Sequence, residues 1–438
     1  MKDYRIRERT EEELQELCRR PVLELEEIFE QVRPILEEVR REGEEAVRRY
    51  TRRFDGTDPD PLILHPAEEP EAGLPEPTRE AIDTAFRNIY RFHKAQLPRQ
   101  TEVETMPGVR CRRVSRPLDT VGLYVPGGTA ILPSTLLMLG IPAALAGCRN
   151  IVVATPPNAE GGVGPEIRYI ARKVGASHLL LAGGAQAVAA MAWGMEGLPK
   201  ADKILGPGNQ YVTAAKMLLQ NSRAQVAIDM PAGPSEVLVI ADAGADPRFV
   251  AADLLSQAEH GPDSQVVLVY LPGFDRQACL DALEAQLADL PRAEIARQAL
   301  EHSFSVEAES LEEAFDFSNR YAPEHLVVQC KHAEEQAGRI RHAGSVFLGR
   351  WTPESAGDYA SGTNHTLPTY GYARMYSGVS VDSFLKQITM QSLSREGLRN
   401  LAPAVERLAQ IEGLEGHRRA VTIRLESRGD ESGHGNED

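Results

Sequence analysis

Cysteine is scarce in this chain, and its arrangement excludes two kinds of site. The five cysteines are scattered along 438 residues and never occur as Cys-x-x-Cys. Such usage is typical of a protein from a reducing compartment that has no disulfide framework. We therefore expect a cytoplasmic protein, and we expect any bound metal ion to be held by nitrogen and oxygen ligands rather than by thiolates.

Positive charge and long apolar runs are also in short supply. The chain has 48 lysines and arginines against 64 acidic residues, which gives a formal net charge of -16 at pH 7. Nucleic acid and anionic membrane surfaces would repel such a chain, so neither is expected as a partner. No apolar run approaches the roughly 20 residues of a membrane span, and the first residues lack the apolar segment of a secretory signal.

The usual dinucleotide-binding fingerprint is missing as well. No Gly-x-Gly-x-x-Gly follows a predicted strand at the expected position. Glycine turns at 127–128, 183–184 and 206–208 could still let the backbone approach a pyrophosphate at helix N-termini. These patterns alone predict a ligand-binding α/β protein.

Short apolar strands alternate with helical segments through the middle of the chain. Strands are predicted at 121–125, 150–155 and 178–182, and a second series begins at 236–241. This alternation predicts two Rossmann-like parallel-sheet domains, whose ligands are expected at the carboxyl edges of the strands. Both ends of the chain have helical spacing instead.

A possible metal site starts with two residues at the end of one predicted helix. The helix begins after Asp246 and ends at Gly261, so that Gln257 and His260 lie three residues apart on one face. Their side chains could both reach one metal ion. The alternative is that His260 only interacts favourably with the negative end of the helix dipole.

Three further stretches carry polar groups that folding alone does not require. They are Tyr321–Leu326, Pro353–Thr369 and Glu412–His417. Taken singly, each has an ordinary explanation: a glutamate at a helix start, an aspartate in a turn, and exposed polar residues on a terminal helix. Taken together with Gln257, they supply a thiolate-free ligand set that suits Zn²⁺. They also supply the adjacent pair Glu324-His325, which suits proton transfer.

Seven segments in order along the chain resemble histidinol dehydrogenase, from about residue 22 to residue 425. They are Gly122–Gly128, Gly206–Asn209, Ala232–Glu236, Ser256–Ser264, Arg320–His325, Gly357–Tyr359 and Asn364–Thr369. The motifs Gln-Ala-Glu-His-Gly-Pro-Asp-Ser and Asn-His-Thr-Leu-Pro-Thr are highly specific to that family. The resemblance implies an NAD-dependent, four-electron oxidation of L-histidinol via L-histidinal to L-histidine, in histidine biosynthesis, with Zn²⁺ positioning the substrate.

The same resemblance implies roles for particular residues. His325 would take the alcohol proton, and Glu324 would activate the water that adds to the aldehyde. The implied zinc ligands are Gln257, His260, Asp358 and His417. The implied substrate-binding residues are Ser235, Gln257, His260, His325, Asp358, His365, Glu412 and His417. The implied nucleotide-contacting residues are Tyr124, Gln186 and Asn209.

The resemblance also implies a domain-swapped homodimer in which His417 completes the site of the partner subunit. The expected division is an N-terminal helical arm (1–24), a main α/β domain with the metal and substrate site (25–123 and 236–380), an inserted α/β domain with the NAD contacts (124–235), a C-terminal helical dimerisation segment (381–426) and a disordered tail (427–438).

Two other functions stay open at this point. A paralogous NAD- and zinc-dependent dehydrogenase of the same fold could oxidise another small alcohol, such as a sulfonated diol. His365 and Glu412 argue against it, because both suit a cationic, imidazole-bearing substrate better than an anionic one. A catalytically silent zinc-dependent binding protein is the second alternative, and the Glu324-His325 pair argues against that one.

Overall fold

The structure is a computed structural model that describes residues 1–20, 25–70, 73–127, 132–230 and 233–427. The chain divides into two compact units. The first unit comprises residues 1–97 and 118–384, and the second comprises residues 98–117 and the chain from residue 385 onward.

The strands follow the chain in this order: β1 (Lys2–Arg5), β2 (Ile63–Leu64), β3 (Thr101–Met106), β4 (Val109–Pro117), β5 (Thr120–Tyr124), β6 (Asn150–Thr155), β7 (His178–Leu181), β8 (Lys203–Leu205), β9 (Ala227–Ile228), β10 (Glu236–Ala241), β11 (Gln265–Tyr270), β12 (Phe304–Glu307), β13 (His325–Gln329), β14 (Ser345–Leu348) and β15 (Leu385–Leu393).

The α-helices are α1 (Glu11–Leu17), α2 (Leu25–Glu42), α3 (Glu44–Phe54), α4 (Glu76–Lys94), α5 (Pro133–Ala146), α6 (Pro165–Lys173), α7 (Gly184–Trp193), α8 (Gln210–Gln220), α9 (Pro247–Ala258), α10 (Arg276–Ala288), α11 (Ala293–Glu301), α12 (Leu311–Tyr321), α13 (Glu354–Tyr359), α14 (Arg395–Ile411) and α15 (Glu415–Glu426).

The first unit contains two six-stranded sheets. The first sheet has the order β1-β12-β11-β10-β13-β14, and all its strands are parallel. Every residue of β10 and β11 is buried, because helices cover both faces. Val237 packs in one core cluster with Leu254 of α9, whereas Leu238 packs in another with Phe315 of α12. Strands buried on both faces read as continuous apolar runs, which is how they were predicted.

The second sheet has the order β2-β7-β6-β5-β8-β9, and its strands are parallel except for the short edge strand β2. One face packs on α2, α7 and α8, through residues such as Val32 and Val188. The other face packs on α4, α5 and α6, through residues such as Ile89 and Ile170. The predicted α/β class with parallel-sheet domains is therefore confirmed.

Sheet membership differs from the predicted domain division. The prediction assigned residues 25–123 to the main domain, but α2, α4 and β5 belong to the core of the second sheet. Residues 1–24 were predicted as a helical arm, but Lys2–Arg5 forms strand β1 at the edge of the first sheet. Apolar periodicity predicts a helix or a strand without indicating which sheet it joins, and an edge strand as charged as β1 carries no apolar pattern.

The second unit contains a three-stranded antiparallel sheet, β15-β4-β3, and the helices α14 and α15. The prediction that residues 381–426 are helical is thus wrong for β15. Most residues of β3 and β15 are exposed, so these strands lack the buried face that would have produced a clear period-two pattern. The predicted disordered tail lies outside the described residues from 428 onward.

None of the helices within the described ranges is long and apolar enough to cross a membrane.

Candidate active site

The predicted acid–base pair lies at the amino-terminal edge of the first sheet. His325 is the first residue of β13, Glu324 precedes it in a bend, and Glu236 begins the neighbouring strand β10. Both side chains are buried, with 6% of Glu324 and 2% of His325 exposed. Because Glu324 lies in a bend before a strand, it does not start a helix. The expectation that ligands bind at the carboxyl edge of the strands is wrong for this pair, which lies at the opposite edge.

The backbone of Glu236 contacts both members of the pair. Its N–H donates to Oε2 of Glu324 at 2.9 Å, and its carbonyl oxygen lies 3.1 Å from Nδ1 of His325. When Nδ1–H donates to this carbonyl, the neutral imidazole keeps its lone pair on Nε2. His325 is thus oriented so that Nε2 is the nitrogen able to accept a proton.

Two carboxylates of α13 face this nitrogen. Oδ1 of Asp358 lies 3.2 Å from Nε2 of His325, and Oε1 of Glu354 lies 4.0 Å from it. Ser256 donates its hydroxyl to Oε2 of Glu354 at 2.6 Å, and Oε1 has no hydrogen-bond partner among the described residues. Ligand atoms of His325, Glu354 and Asp358 lie within 4.8 Å of one another.

Glu354 is a site residue that sequence reasoning missed. Its side chain is 1% exposed, although a glutamate in the first turn of a helix is normally an exposed partner of the helix dipole. Its only signal was its place inside the polar stretch 353–369. A buried carboxylate beside a histidine is a group that proton transfer or metal binding can use.

The predicted metal ligands of α9 lie next to each other. Nε2 of Gln257 is 3.1 Å from Nδ1 of His260, although α9 ends at Ala258 and His260 follows the helix rather than ending it. Asp358 and His325 both act electrostatically on the imidazole of His260. The structure therefore brings Gln257, His260 and Asp358 into one neighbourhood with the acid–base pair.

Unpartnered atoms in this neighbourhood fit a cation. Within the described part of the chain, four buried atoms here have no hydrogen-bond partner: Gln257 Oε1, His325 Nε2, Glu354 Oε1 and Asp358 Oδ1. Buried polar atoms normally have a hydrogen-bond partner, so four unpartnered atoms in one cluster indicate a binding site for a ligand. Carboxylate, carboxamide and imidazole donors suit Zn²⁺ or a similar divalent ion, so the residues present fit the predicted metal.

The carboxylates and the imidazole strongly perturb one another. Burial alone would lower the pKa of His325, but the charges of Glu324, Asp358 and Glu354 raise it above its usual value. Burial raises the pKa of Glu324, against the opposing charge of His325. Burial would also raise the pKa of Asp358, yet the nearby charge of His325 holds it below its usual value. The cluster therefore stabilises positive charge at its centre.

Two predicted substrate residues lie beside this cluster. Ser235, Glu324 and His365 line a cavity of about 60 Å³. Nδ1 of His365 lies 2.7 Å from the carbonyl oxygen of Asp358, and its Nε2 lies 3.3 Å from the hydroxyl of Thr135. These two contacts fix the orientation of the His365 ring at the wall of the cavity.

The predicted nucleotide-contacting residues line one cleft at the carboxyl edge of the second sheet. The cleft has a volume of about 830 Å³, and Tyr124, Gln186 and Asn209 lie in its wall. Tyr124 accepts a hydrogen bond from the Gly184 N–H at 3.0 Å. Both polar atoms of the Gln186 amide are buried without a partner among the described residues. Oδ1 of Asn209 caps α8, so its amide nitrogen is the group left to contact a ligand.

One turn separates this cleft from the small cavity. Gly206 and Gly208 line the small cavity, and Asn209 lines the cleft. Gly206 has a φ of +130°, and a Cβ there would lie 2.1 Å from the carbonyl oxygen of Tyr124. Only glycine fits this position, which explains the glycine in the predicted turn.

Glu412 and His417, the remaining predicted site residues, belong to the second unit. Glu412 follows α14, His417 lies in the first turn of α15, and both are exposed. Their predicted participation in substrate and metal binding stays a prediction.

Fold and site together define an α/β enzyme with a buried histidine–carboxylate cluster and a nucleotide-sized cleft. A family model described as histidinol dehydrogenase matches residues 18–425. The chain is 58% identical over 426 residues to the chloroplastic histidinol dehydrogenase of Arabidopsis thaliana, covering 97% of this chain and 91% of the plant protein. It is 55% identical over 423 residues to the histidine biosynthesis trifunctional protein of Saccharomyces cerevisiae, covering 95% of this chain and 53% of the yeast protein.

A solved structure is similar over nearly the whole length. The histidinol dehydrogenase of Elizabethkingia anophelis superimposes with a TM-score of 0.93 at 48% identity, covering 98% of each chain. The chain therefore belongs to the histidinol dehydrogenase family of oxidoreductases. The resemblance identified from the sequence motifs is confirmed.

Proposed function

We propose that this protein oxidises L-histidinol via L-histidinal to L-histidine, reducing two molecules of NAD⁺, as a step of histidine biosynthesis. The observation that carries the proposal is the buried His325, whose Nδ1 faces a backbone carbonyl and whose Nε2 faces unpartnered carboxylate oxygens. Membership of the family supports the choice of substrate.

Zn²⁺ is the metal we propose for the cluster, and Gln257, His260 and Asp358 are the ligands that this unit would provide. When bound, the ion supplies a positive charge that orients the nitrogen atoms of the substrate. Support comes from the unpartnered Oε1 of Gln257 and Oδ1 of Asp358 and from the contact between Gln257 and His260. His417 of the partner subunit is the proposed fourth ligand, in a domain-swapped homodimer.

NAD⁺ is the proposed hydride acceptor, held in the cleft lined by Tyr124, Gln186 and Asn209. The amide of Gln186, which has no hydrogen-bond partner among the described residues, offers a buried donor and acceptor to the polar groups of NAD⁺. The adjoining N-terminus of α8 and the glycine turn before it suit phosphate oxygens.

His325 is the proposed base of the first oxidation. Its Nε2 takes the hydroxyl proton of the alcohol while the carbon-bound hydrogen leaves as hydride. Asp358 and Glu354 stabilise the imidazolium that results, because both carboxylates face Nε2. The contact of Nδ1 with the carbonyl of Glu236 keeps the ring from rotating during the transfer.

Glu324 is the proposed base of the second oxidation. It takes a proton from water as the water oxygen bonds to the aldehyde carbon, while His325 returns its proton to the aldehyde oxygen. The resulting diol loses a second hydride, and His325 again accepts the hydroxyl proton. Burial raises the pKa of Glu324, which makes its ionised carboxylate a stronger base than an exposed one.

His365, Ser235 and Glu412 are proposed to hold the polar groups of the substrate. A cytoplasmic location is likewise proposed, and all five cysteines are free thiols as that compartment favours.

Steady-state assays with L-histidinol and with a sulfonated diol test the substrate. We expect NADH to form with histidinol and not with the anionic diol; the reverse result would indicate the paralogous function. The absence of NADH with both substrates, despite measured binding of NAD⁺, would indicate a silent binding protein.

The variant His325→Asn tests the chemistry. Loss of the base should lower the rate of the first oxidation by about 10²–10⁴-fold. His332→Asn is the matched control, because His332 is 57% exposed and lies outside the cluster. Histidinol oxidation that survives at the wild-type rate in His325→Asn would remove this residue from the mechanism.

A further inference from the structure

A buried arginine near the N-terminus contacts Glu236, the first residue of β10, whose backbone contacts the acid–base pair. Nε and Nη2 of Arg20 donate to the two carboxylate oxygens of Glu236 at 2.8 Å and 2.7 Å. The side chains of Arg20 and Glu236 are only 6% and 2% exposed. Such a planar, two-bond contact fixes the direction of a carboxylate as well as its charge.

Arg20 is itself held on several sides. Its Nη1 donates to the carbonyl oxygens of Cys18 and Tyr321 at 2.7 Å and 2.8 Å. Its guanidinium carbon lies 3.5 Å from the centre of the Tyr321 ring, which is fully buried. The arginine is therefore a rigid anchor rather than a flexible surface charge.

Glu236 joins this anchor to the acid–base pair. In the ladder between β10 and β13, pairing begins at Val237 with His325, so Glu236 lies at the start of the ladder. Its peptide groups contact both catalytic side chains, through the N–H bond to Glu324 and the carbonyl contact with His325. The direction of these two groups depends on how the Glu236 residue as a whole is held.

The same carboxylate holds a second segment of the site. Oε1 of Glu236 also accepts the N–H of Tyr370 at 2.9 Å. Tyr370 has a φ of 57°, a left-handed conformation that is unfavourable for a tyrosine, and it follows Thr369 in the wall of the small cavity. A hydrogen bond from a charged acceptor helps to maintain that conformation.

We infer that Arg20 is a positioning residue for the oxidation, acting through Glu236 on both Glu324 and His325. The inference rests on the proposed function, because it takes the roles of that pair as given. Loss of the bidentate arginine leaves the Glu236 carboxylate buried without its counter-ion. The carboxylate and the peptide groups of Glu236 then shift. Misplacement of catalytic groups by about 1 Å can cost about 10²-fold in rate.

The test compares kcat and KM of Arg20→Met with those of the wild type. We expect kcat to fall by about tenfold to a hundredfold in both oxidations, while KM for NAD⁺ stays unchanged because the cleft lies at the other sheet. Arg7→Met is the matched control, since Arg7 forms a 3.0 Å ion pair with Glu309 at the surface of the same N-terminal segment. A kcat for folded Arg20→Met within about twofold of Arg7→Met would overturn the inference.

Chemical rescue separates positioning from a general effect on stability. Arg20 and Tyr321 line a surface cavity of about 410 Å³, through which a small cation can reach the vacated position. Millimolar guanidinium should therefore raise kcat of Arg20→Ala severalfold, whereas the neutral isostere urea should not. Equal responses to the two compounds would contradict the positioning role.

Two further variants keep the test decisive. Arg20→Lys serves if Arg20→Met does not fold, because lysine keeps the positive charge but lacks the planar guanidinium. Its kcat should be lower than that of the wild type, and a wild-type kcat in this variant would refute the inference. Adding Arg20→Met to Glu324→Gln should cost less in the second oxidation than Arg20→Met alone, because part of the effect of Arg20 on that step acts through Glu324. If the losses in rate caused by the two substitutions multiply fully in the double variant, this expectation is contradicted. A wild-type enzyme that does not turn over histidinol would instead refute the proposed function, independently of Arg20.

Discussion

The buried ion pair between Lys216 and Asp229 should strongly determine the stability of the protein and the conformation of the turn at the proposed NAD⁺ cleft. Nζ of Lys216 lies 2.6 Å from Oδ1 of Asp229, and their side chains are 2% and 3% exposed. Nζ also donates to the Gly206 carbonyl at 2.8 Å, and the Gly206 N–H donates to Oδ2 of Asp229 at 2.7 Å. The pair therefore closes a hydrogen-bonded ring around the first residue of the turn that leads to Asn209.

Lys216→Met should lower the free energy of unfolding by about 3–5 kcal/mol, because it leaves the Asp229 carboxylate buried without its counter-ion. KM for NAD⁺ should rise at the same time, because the turn loses its anchor. The double variant with Asp229→Asn should recover part of the stability, since no charge is then left buried. Urea titration followed by circular dichroism measures the stability, and NADH formation gives KM.

Lys173→Met is the matched control for this experiment. Lys173 and Asp83 form a 2.8 Å lysine–aspartate pair whose side chains are each 28% exposed, so its loss should cost only about 0.2–1 kcal/mol. If Lys216→Met loses no more stability than Lys173→Met, the reasoning about the buried pair is refuted.

Three other outcomes are expected. Burial raises the pKa of Asp253 to about 6, above the value of 3.8 expected in the unfolded chain. The free energy of unfolding of the wild type, relative to that of Asp253→Asn, should therefore fall by about 3 kcal/mol as pH rises from about 4 to about 6. Urea titrations measure this difference, and a difference that is independent of pH would contradict the expectation. Gln257→Ala should retain less zinc after dialysis than the exposed control Gln277→Ala, as elemental analysis will show, and equal metal contents would remove Gln257 from the ligand set. Subunits of His260→Asn mixed with subunits of His417→Asn should regain activity if one site uses both chains, and no recovery after verified exchange would contradict sharing.

Buried parallel strands could be predicted from the sequence, whereas exposed antiparallel strands could not. The bounds of β10, Glu236–Ala241, agree with the prediction because a strand covered on both faces is an uninterrupted apolar run. Strand β4 carries arginines at several exposed positions and pairs with β3 and β15, which are exposed along most of their length. Their stability depends on backbone pairing across a sequence separation that local patterns do not reveal.

The site shows the same division between local and tertiary information. The contact of Gln257 with His260 follows from a spacing of three residues, so it could be predicted. The burial of Glu354 beside His325 could not, because it depends on how α13 packs against the first sheet. The contact of Arg20 with Glu236 could not be predicted either, since the two residues are 216 positions apart in the sequence.

Counting the NADH formed per molecule of histidinol consumed tests the central claim most directly. With enzyme, zinc and excess NAD⁺, and L-histidine quantified by chromatography, the account predicts two NADH for each L-histidine. Glu324→Gln should slow the second oxidation so strongly that the aldehyde accumulates and is recoverable by a carbonyl trap, while the exposed control Glu334→Gln still yields two NADH without free aldehyde. A wild-type yield of one NADH with free aldehyde as the final product would contradict a four-electron oxidation at this site.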